Sequence, residues 1–377
     1  MMISIIIPTH NRADLLAETL TSLLAQTWPD WEAIVVDDAS TDDTVAVVQR
    51  FAQGESRLRL QVNDRSMGAP VCRNIGTQLA RGDYLIYLDS DDCLAPTCLE
   101  HRHHEMEANP DLDFGIFLCA FFEQVPGDYA MLWNSQKAMP DLDRWLGWDS
   151  PWQTACPIWR RRAIESIGPW NEDLPSLQDF DFHIRALLSN LNYRWFDRID
   201  CFWRMPQHAT IGSKTFSPTH LHSHDRLFAS IADRLRQQGL WNRDRQILMA
   251  SLYFMLMDAW LLQGNPEAAT ELWQKAQVRD LLPESIYRQG QGYIQGMGWM
   301  NAAPLNHPMI RRAWRAALRR YWRWQVTWPI SQTLGRIRCD QVNAAIDLRP
   351  SSPMPYAPKP ILHQIALASL ASQQHRN

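Results

Sequence analysis

Three carboxylates follow an apolar segment closely enough to form a metal site. Residues 84–88 read Tyr-Leu-Ile-Tyr-Leu, which is typical of a buried parallel strand, and Asp89, Asp91 and Asp92 come directly after it. Open α/β sheets bind ligands at the carboxyl ends of their strands. Because carboxylates this close together repel one another, either they splay into water or a hard divalent cation gathers them, and Asp89 and Asp91 can aim at one point. The structural alternative is a solvated turn in which one aspartate caps the next helix.

Two further polar loops follow predicted strands earlier in the chain. One loop, residues 8–12 (Pro-Thr-His-Asn-Arg), offers the hydroxyl of Thr9, and the other contains Asp38, whose carboxylate could accept a hydrogen bond from a base N–H. Neighbouring parallel strands end on the same side of a sheet, so these loops and the acidic loop should meet in one crevice. Arg73, on a predicted helix, offers a planar fork for a diphosphate there. Alone, Arg73 is equally consistent with an exposed helix residue.

Strands and helices alternate through about the first 90 residues. The predicted strands lie at residues 3–7, 32–37, 58–62 and 84–88, with amphipathic helices between them. Asn11 is predicted to cap the first helix, and Ser40 with Asp43 to form a capping box for the second. Repeated units of strand, loop and helix form parallel sheets with right-handed crossovers, so the sequence predicts the α/β fold class.

Composition excludes several classes of protein. The chain has 377 residues, is 46% hydrophobic and 21% charged, and is long enough for a large domain with a smaller one. A net charge of −4 gives no general reason to expect nucleic-acid binding. Seven scattered cysteines, an odd number, predict a reducing compartment rather than a disulfide framework. The N-terminus has no basic region, its apolar run ends at Pro8, and no apolar run approaches 18 residues, so we expect a cytoplasmic protein.

The order and spacing of four segments resemble glycosyltransferase family 2, the inverting nucleotide-sugar transferases of GT-A fold. The segments are residues 5–12, 35–42, 68–74 and 87–92. The resemblance implies that Asp38 binds the base, that Arg73 lies near the diphosphate, and that Asp89 and Asp91 hold ribose and Mn²⁺ or Mg²⁺. The residues that it places around the nucleotide-sugar are Pro8, Thr9, Asn11, Arg12, Asp38, Arg73, Asp89 and Ser90.

Residues 177–185 resemble the segment that supplies the general base in that family. A Glu-Asp pair opens a helix there, and its aspartate deprotonates the acceptor hydroxyl; Asp179 occupies this position. Gln178 departs from the pattern, and the loss of a negative neighbour should leave the pKa of Asp179 less raised. Asp181 is the fallback base. The structural alternative is that Asp179 only caps the helix.

Histidines are weaker candidates for metal ligands. His208 lies near the point where family members often supply a histidine to the metal or phosphate, so it is predicted as a third metal ligand beside Asp89 and Asp91. His220, His222 and His224 alternate in a predicted loop and could bind zinc, although surface histidines are more common.

Tryptophans are abundant between residues 133 and 159. They are Trp133, Trp145, Trp148, Trp152 and Trp159, and they alternate with Asp and Pro. Such rings stack on acceptor sugars, but an aromatic core under a long loop is an equally good interpretation.

Beyond about residue 218 the sequence predicts helices alone. We expect a catalytic domain at residues 1–218, a helical appendage at 219–348 and a Pro-rich mobile tail at 349–377. The appendage contains one tetratricopeptide-like hairpin at residues 256–276. One hairpin is not a repeat array.

A basic amphipathic helix is predicted from Arg311 to Trp328. Six arginines fall on one half of its circumference and five apolar or aromatic side chains on the other. This pattern is typical of a helix that lies on an anionic membrane, which would place the protein at the inner face of that membrane. Packing of the aromatic stripe against the appendage is the structural alternative.

Together these features predict an inverting glycosyltransferase. It would move a sugar from a nucleotide-diphosphate sugar, with a UDP-sugar favoured, to a hydroxyl of a glycan or lipid-linked acceptor. A non-catalytic nucleotide-sugar-binding or scaffold protein is an alternative that Gln178 favours. A sugar nucleotidyltransferase would need a Gly-rich loop after the first strand, and residues 8–11 contain no glycine.

Overall fold

The computed structural model describes residues 1–129, 131–133, 135–205 and 216–302, together with the short segments 309–310, 313–314, 316–317 and 337–338. His208, the tail at residues 349–377 and most of the helix predicted at residues 311–328 lie outside the described residues.

Four parallel strands form the N-terminal half of the sheet. They are β1 (Ile3–Thr9), β2 (Trp31–Asp37), β3 (Leu58–Val62) and β4 (Tyr84–Tyr87), and they lie in the order β3-β2-β1-β4. The connecting helices are α1 (Ala13–Leu24), α2 (Thr44–Ala52) and α3 (Ala69–Leu79). The predicted alternation and the parallel pairing are confirmed.

The sheet continues beyond β4 with mixed pairing. Its further strands are β5 (Cys93–Leu94), β6 (Phe114–Phe122), β7 (Met131–Leu132), β8 (Pro157–Arg160), β9 (Tyr193–Arg204) and β10 (Ile337–Arg338). β8 lies antiparallel between β4 and β6, and β9 pairs parallel with β6 and antiparallel with β5. The helices of this half are α4 (Cys98–Ala108), α5 (Asp141–Leu146), α6 (Arg161–Ile167) and α7 (Gln178–Leu188).

The predicted caps of the first two helices are wrong because the loops cap one another. Asn11 has a left-handed backbone (φ 50°), and its side-chain oxygen accepts the amide of Thr41 at 2.8 Å instead of capping α1. The hydroxyl of Ser40 accepts the amide of Asn11 at 2.9 Å, so it is not free for a capping box. α1 begins after Arg12, whose amide donates to the hydroxyl of Thr44 at 2.9 Å.

Three of the five tryptophans belong to the core. Trp145, Trp152 and Trp159 are no more than 1% exposed. The acceptor-stacking interpretation is therefore wrong for these three, because a buried ring offers no face to a sugar. Trp133 and Trp148 are half-buried and pack against the same core.

Among the described residues, four helices follow β9, and β10 then returns to the sheet beside β7, so the region beyond residue 218 is not helical throughout. The four helices are α8 (Pro218–Gln237), α9 (Arg243–Leu262), α10 (Pro266–Val278) and α11 (Glu284–Ala302). α9 is apolar around most of its circumference and packs against α5, α8, α10 and α11. The turn between α9 and α10 uses Gly264 (φ 75°) and Asn265, whose side chain caps α10. Among the described helices, none combines the length and the apolar character needed to cross a membrane.

Candidate functional site

The loops after β1 and β2 are joined at one edge of the sheet. Thr9 is the register partner of Asp37, and the amide of Asp38 donates to the carbonyl of Thr9 at 2.8 Å. His10 Nδ1 lies 2.8 Å from the carbonyl oxygen of Asp38. Pro8 is buried within β1, where it pairs with Val36 of β2. The predicted crevice is therefore built from two loops that hold each other.

Asp38 organises the loop that leads into α3. Its carboxylate accepts four hydrogen bonds, from the side chains of Asn63 (3.1 Å) and Ser66 (2.7 Å) and from the amides of Met67 and Gly68 (2.8 Å each). Burial would raise the pKa of Asp38, but these bonds hold it below its usual value. Each carboxylate oxygen of Asp38 already accepts two hydrogen bonds. The predicted contact with the nucleotide base therefore requires the base to replace one of these four donors.

Three other predicted contacts line the same edge. The hydroxyl of Thr9 is buried and has no hydrogen-bond partner among the described residues. Ser90 is buried directly after Asp89. Arg12 is half-buried, and its charge reaches Asp91, where it opposes the rise in the pKa of that carboxyl. Their role in binding a nucleotide-sugar stays a prediction.

The acidic loop concentrates three carboxylates, whose charge nearby arginines match only in part. Burial and the neighbouring Asp89 raise the pKa of Asp91, and burial, Asp91 and Asp89 raise that of Asp92 well above its usual value. The described residues form no salt bridge with Asp91, and they bring no three metal ligands of this loop within 4.8 Å of one another. Asp89 and Asp91, whose charge is only partly matched, suit a divalent cation whose other ligands come from phosphate oxygens or water.

Arg204, which the sequence did not identify as a site residue, donates hydrogen bonds to the acidic loop. Its backbone amide donates to the Asp92 carboxylate at 3.0 Å, and its Nε donates to the carbonyl of Asp91 at 2.9 Å. Its guanidinium also pairs with Glu18 on α1 at 2.6 Å and lies 4.3 Å from the ring of Phe122. In the sequence, Arg204 is visible only as an arginine at the end of an aromatic strand. That position does not indicate which residues it contacts.

Arg73 joins the acidic loop to the start of α7. Its Nη2 donates to Asp89 at 2.8 Å, and its Nη1 lies 3.4 Å from the side-chain oxygen of Gln178. The guanidinium lies 4.6 Å from the ring centre of Trp170, and its Nε is buried without a partner among the described residues. One side chain therefore links segments that are about 90 residues apart in sequence.

Asp179 lies in the first turn of α7, half-buried beside this link. Burial and the charge of Asp89 raise its pKa, whereas the Phe180 amide and Arg73 oppose the rise. The fallback candidate, Asp181, instead pairs with Arg185 at 2.8 Å inside the protein. That pairing gives Asp181 a structural partner and leaves Asp179 as the carboxylate nearer the site.

The three alternating histidines lie on α8, so the predicted loop is wrong. His224 is buried, and its Nε2 lies 2.9 Å from the hydroxyl of Ser176, three residues before Asp179. Burial and the charge of His220 lower the pKa of His224 to about 4, so it is neutral at physiological pH. Among the described residues, His220, His222 and His224 belong to no group of three or more metal ligands.

The family model and the relatives that match this chain are all glycosyltransferases. A model of glycosyl transferase family 2 matches residues 4–168. An uncharacterised glycosyltransferase of Haemophilus influenzae is 31% identical over 189 residues, which cover 49% of this chain and 62% of that protein. WfaP of Escherichia coli, a UDP-Glc:alpha-D-GlcNAc-diphosphoundecaprenol beta-1,3-glucosyltransferase, is 37% identical over 106 residues, or 28% of this chain and 41% of that protein. The chain thus spans less than two thirds of either relative.

The fold also has a match among solved structures. The crystal structure of S. aureus TarS residues 1–349 in complex with UDP-GlcNAc has a TM-score of 0.57 and is 18% identical, over 78% of this chain and 92% of that one. At this identity the likeness shows the fold alone. The mixed sheet flanked by helices is of GT-A type.

Proposed function

We propose that this chain, whose residues 4–168 belong to glycosyltransferase family 2, is an inverting enzyme that uses a metal-bound nucleotide-diphosphate sugar as donor. The observation that carries the proposal is the position of Arg73, which contacts Asp89 at one end of the site and Gln178, next to Asp179, at the other. This arrangement supports a leaving-group site and a base site on opposite sides of one guanidinium.

In the proposed reaction, Asp179 takes the proton of an acceptor hydroxyl while the hydroxyl oxygen attacks the anomeric carbon from the face opposite the diphosphate. The raised pKa of Asp179 suits a carboxylate that must accept a proton. Arg73 binds the diphosphate and stabilises the charge of the leaving group. Asp89 and Asp91 would hold Mn²⁺ or Mg²⁺, which supplies Lewis-acid neutralisation of the same phosphates when bound.

The relatives favour a UDP-sugar as donor. TarS residues 1–349 were solved with UDP-GlcNAc, and the name of WfaP gives UDP-Glc as its donor and a diphosphoundecaprenol lipid as its acceptor. We infer a hydroxyl of a glycan or lipid-linked acceptor for this chain. A lipid-linked acceptor would also give the predicted basic helix at residues 311–328 a reason to lie at an anionic membrane surface.

The proposed domain division keeps catalysis in residues 1–218 and assigns residues 219–348 to a helical appendage. The contact between His224 and Ser176 supports an appendage that belongs to the catalytic unit. A non-catalytic nucleotide-sugar-binding protein remains the second candidate, because Gln178 replaces the acidic neighbour of the base. Hydrolysis of a panel of nucleotide-sugars by the purified chain with Mn²⁺ would separate the two.

Donor binding is the first prediction. Calorimetry with UDP should show binding that needs Mn²⁺ or Mg²⁺, because the negative charge of Asp91 must be neutralised before a diphosphate can approach it. Asp91→Asn should lose most of that binding. Asp14→Asn removes an exposed carboxylate from α1 and serves as the matched control, with unchanged affinity. Equal UDP affinity with EDTA present would refute the metal site.

A further inference from the structure

Three buried cysteines that the proposed reaction does not use converge between β6, β8 and β9. Cys119 lies on β6, Cys201 lies on β9, and Cys156 directly precedes β8. Their Sγ atoms all lie within 4.8 Å of one another, and those of Cys156 and Cys201 are 3.9 Å apart. In the part of the chain that the structure describes, this is the one group of three metal-ligating side chains at such spacing.

The spacing suits a single shared ion. Sulfur ligands bind Zn²⁺ at about 2.3 Å, which puts two sulfurs on the same ion about 3.8 to 4.0 Å apart. The separation of Cys156 and Cys201 already has this value. The Sγ of Cys119 lies no more than 4.8 Å from either of the other two, which is about an ångström more than this separation.

Hydrogen-bond donors surround Cys156. The amide of Gln153 donates to its Sγ at 3.3 Å, and the buried guanidinium of Arg102 donates to the neighbouring carbonyl of Ala155 at 2.8 Å. Such second-layer donors are typical of the residues that orient metal ligands.

The sheet is irregular at the same point. The ladder between β6 and β9 shifts register at Phe117/Leu118 and again at Leu118/Cys119, directly before Cys119 pairs with Cys201. Bulges of this kind lie preferentially beside functional sites. Three residues further along β9 lies Arg204, which holds the acidic loop. A link at Cys201 would therefore fix the strand that positions this arginine.

We propose that Cys119, Cys156 and Cys201 bind a soft, thiophilic cation of the Zn²⁺ or Cu⁺ class. Ligands that are all sulfur select such ions over Mn²⁺ and Mg²⁺, so this site is independent of the acidic loop. Each thiol that ligates the ion releases its proton to solvent. Because the site is sealed in the core, the ion enters while the chain folds, and it then joins β6, β9 and the segment before β8.

The test is metal analysis of the full-length chain. The protein is purified under reducing conditions from cells grown with added Zn²⁺, dialysed against EDTA and analysed for zinc and copper. We expect one equivalent of one of these metals to survive dialysis, because a chelator strips an open carboxylate site but not a buried thiolate site. The ratio of zinc to copper then identifies which ion the site selects.

Variants locate the site. Cys119→Ser, Cys156→Ser and Cys201→Ser should each lose the retained metal, whereas Cys72→Ser, at an equally buried cysteine outside the group, should keep it. Far-UV circular dichroism checks that each variant folds. Retention of the full equivalent by folded Cys156→Ser would overturn the proposal.

A second measurement does not depend on the variants. Protein produced with Cd²⁺ should show the ultraviolet charge-transfer band of cadmium thiolates, which disappears on unfolding in denaturant with EDTA. Wild-type protein that contains neither zinc nor copper and shows no such band would overturn the proposal, whatever the variants do.

Discussion

At the scale of single residues, Asp179 decides whether the site is catalytic. A positioned general base contributes about 10² to 10⁴ in rate, so Asp179→Asn should lose turnover by that order while UDP affinity is unchanged. Asp181→Asn should instead lower stability, because Arg185 would lose its buried partner, and it should cost far less in turnover. Steady-state kinetics, calorimetry and thermal melts separate these effects. The reverse ranking of turnover would move the base to Asp181.

Gln178 sets the charge beside the base. Gln178→Glu places a negative group next to Asp179, which should raise the pKa of Asp179 further. The base works only when deprotonated, so activity is lost as pH falls through this pKa, and the acid limb of the pH–rate profile should move to higher pH in Gln178→Glu.

The uncharged variant is the control for that shift. Gln178→Ala removes the 3.4 Å contact with Arg73 without adding charge, so its acid limb should stay near that of the wild type even if its rate falls. Identical acid limbs in wild type and Gln178→Glu would mean that Asp179 is not the titrating base.

The residues that sequence could identify are those whose type and position carry the chemistry. Asp89, Asp91 and Asp179 stand at a strand end or a helix start within recognisable segments. Arg73 donates to Asp89, and its charge opposes the rise in the pKa of Asp179. The role of Arg204 could not be predicted, because it depends on contacts with a loop more than 110 residues away. The sequence also could not show that the carboxylate of Asp38 already accepts four hydrogen bonds from the protein itself.

At the scale of elements, α8 contacts the loop that leads into α7 and the proposed base, Asp179. His224 lies 2.9 Å from the hydroxyl of Ser176, and the rings of Phe228 and Phe180 are 5.7 Å apart, on the two sides of Asp179. Leu177, between Ser176 and α7, has a left-handed backbone (φ 59°), which such contacts must stabilise.

Loss of this support should reduce catalysis more than donor binding. His224→Ala should lower kcat about ten- to hundredfold through misplacement of Asp179, with UDP affinity preserved. His224→Gln retains an amide that can bond Ser176 and should recover much of the loss. Thermal melts check that both variants fold. Equal kcat in wild type and His224→Ala would show that the contact is only structural packing.

Strands and helices were predictable from the sequence where the local hydrophobic pattern determines their bounds. β3 has the predicted bounds because its alternating run of apolar and polar residues ends at clear polar residues. The starts of α1 and α2 were not predictable, because the first amide of each, that of Ala13 and that of Thr44, donates to the carboxylate of Asp42 and not to the predicted caps. The short antiparallel β8 also escaped prediction, since its place between β4 and β6 is set by tertiary packing.

At the scale of the whole molecule, the described helices after residue 217 pack on the half of the protein that contains the sheet. α9 contacts α5, and Arg245 at its start pairs with Asp143 of α5 at 2.7 Å. The sequence predicts helices after residue 218. It does not predict which face of the sheet these helices cover. The site and the helical region should therefore respond together to changes in α8 or α9.

The predicted basic helix at residues 311–328 would add a membrane contact to this assembly. Six arginines opposite an aromatic stripe suit an anionic surface, where each basic residue contributes about 1 kcal/mol. In liposome flotation, the full-length chain should rise with anionic but not with neutral vesicles, and high salt should weaken binding by screening. Substitution of Arg315, Arg319 and Arg323 by Glu should abolish it.

Charge alone must be excluded as the cause of flotation. The matched control replaces three exposed arginines of the described structure, Arg50, Arg226 and Arg234, by Glu. It makes the same change in net charge but leaves the basic helix intact, so it should float like the wild type. If both triple variants lose binding equally, the membrane responds to net charge and not to this helix. If wild type stays at the bottom of the gradient with anionic lipid at low salt, the aromatic stripe packs within the protein and the acceptor is reached from solution.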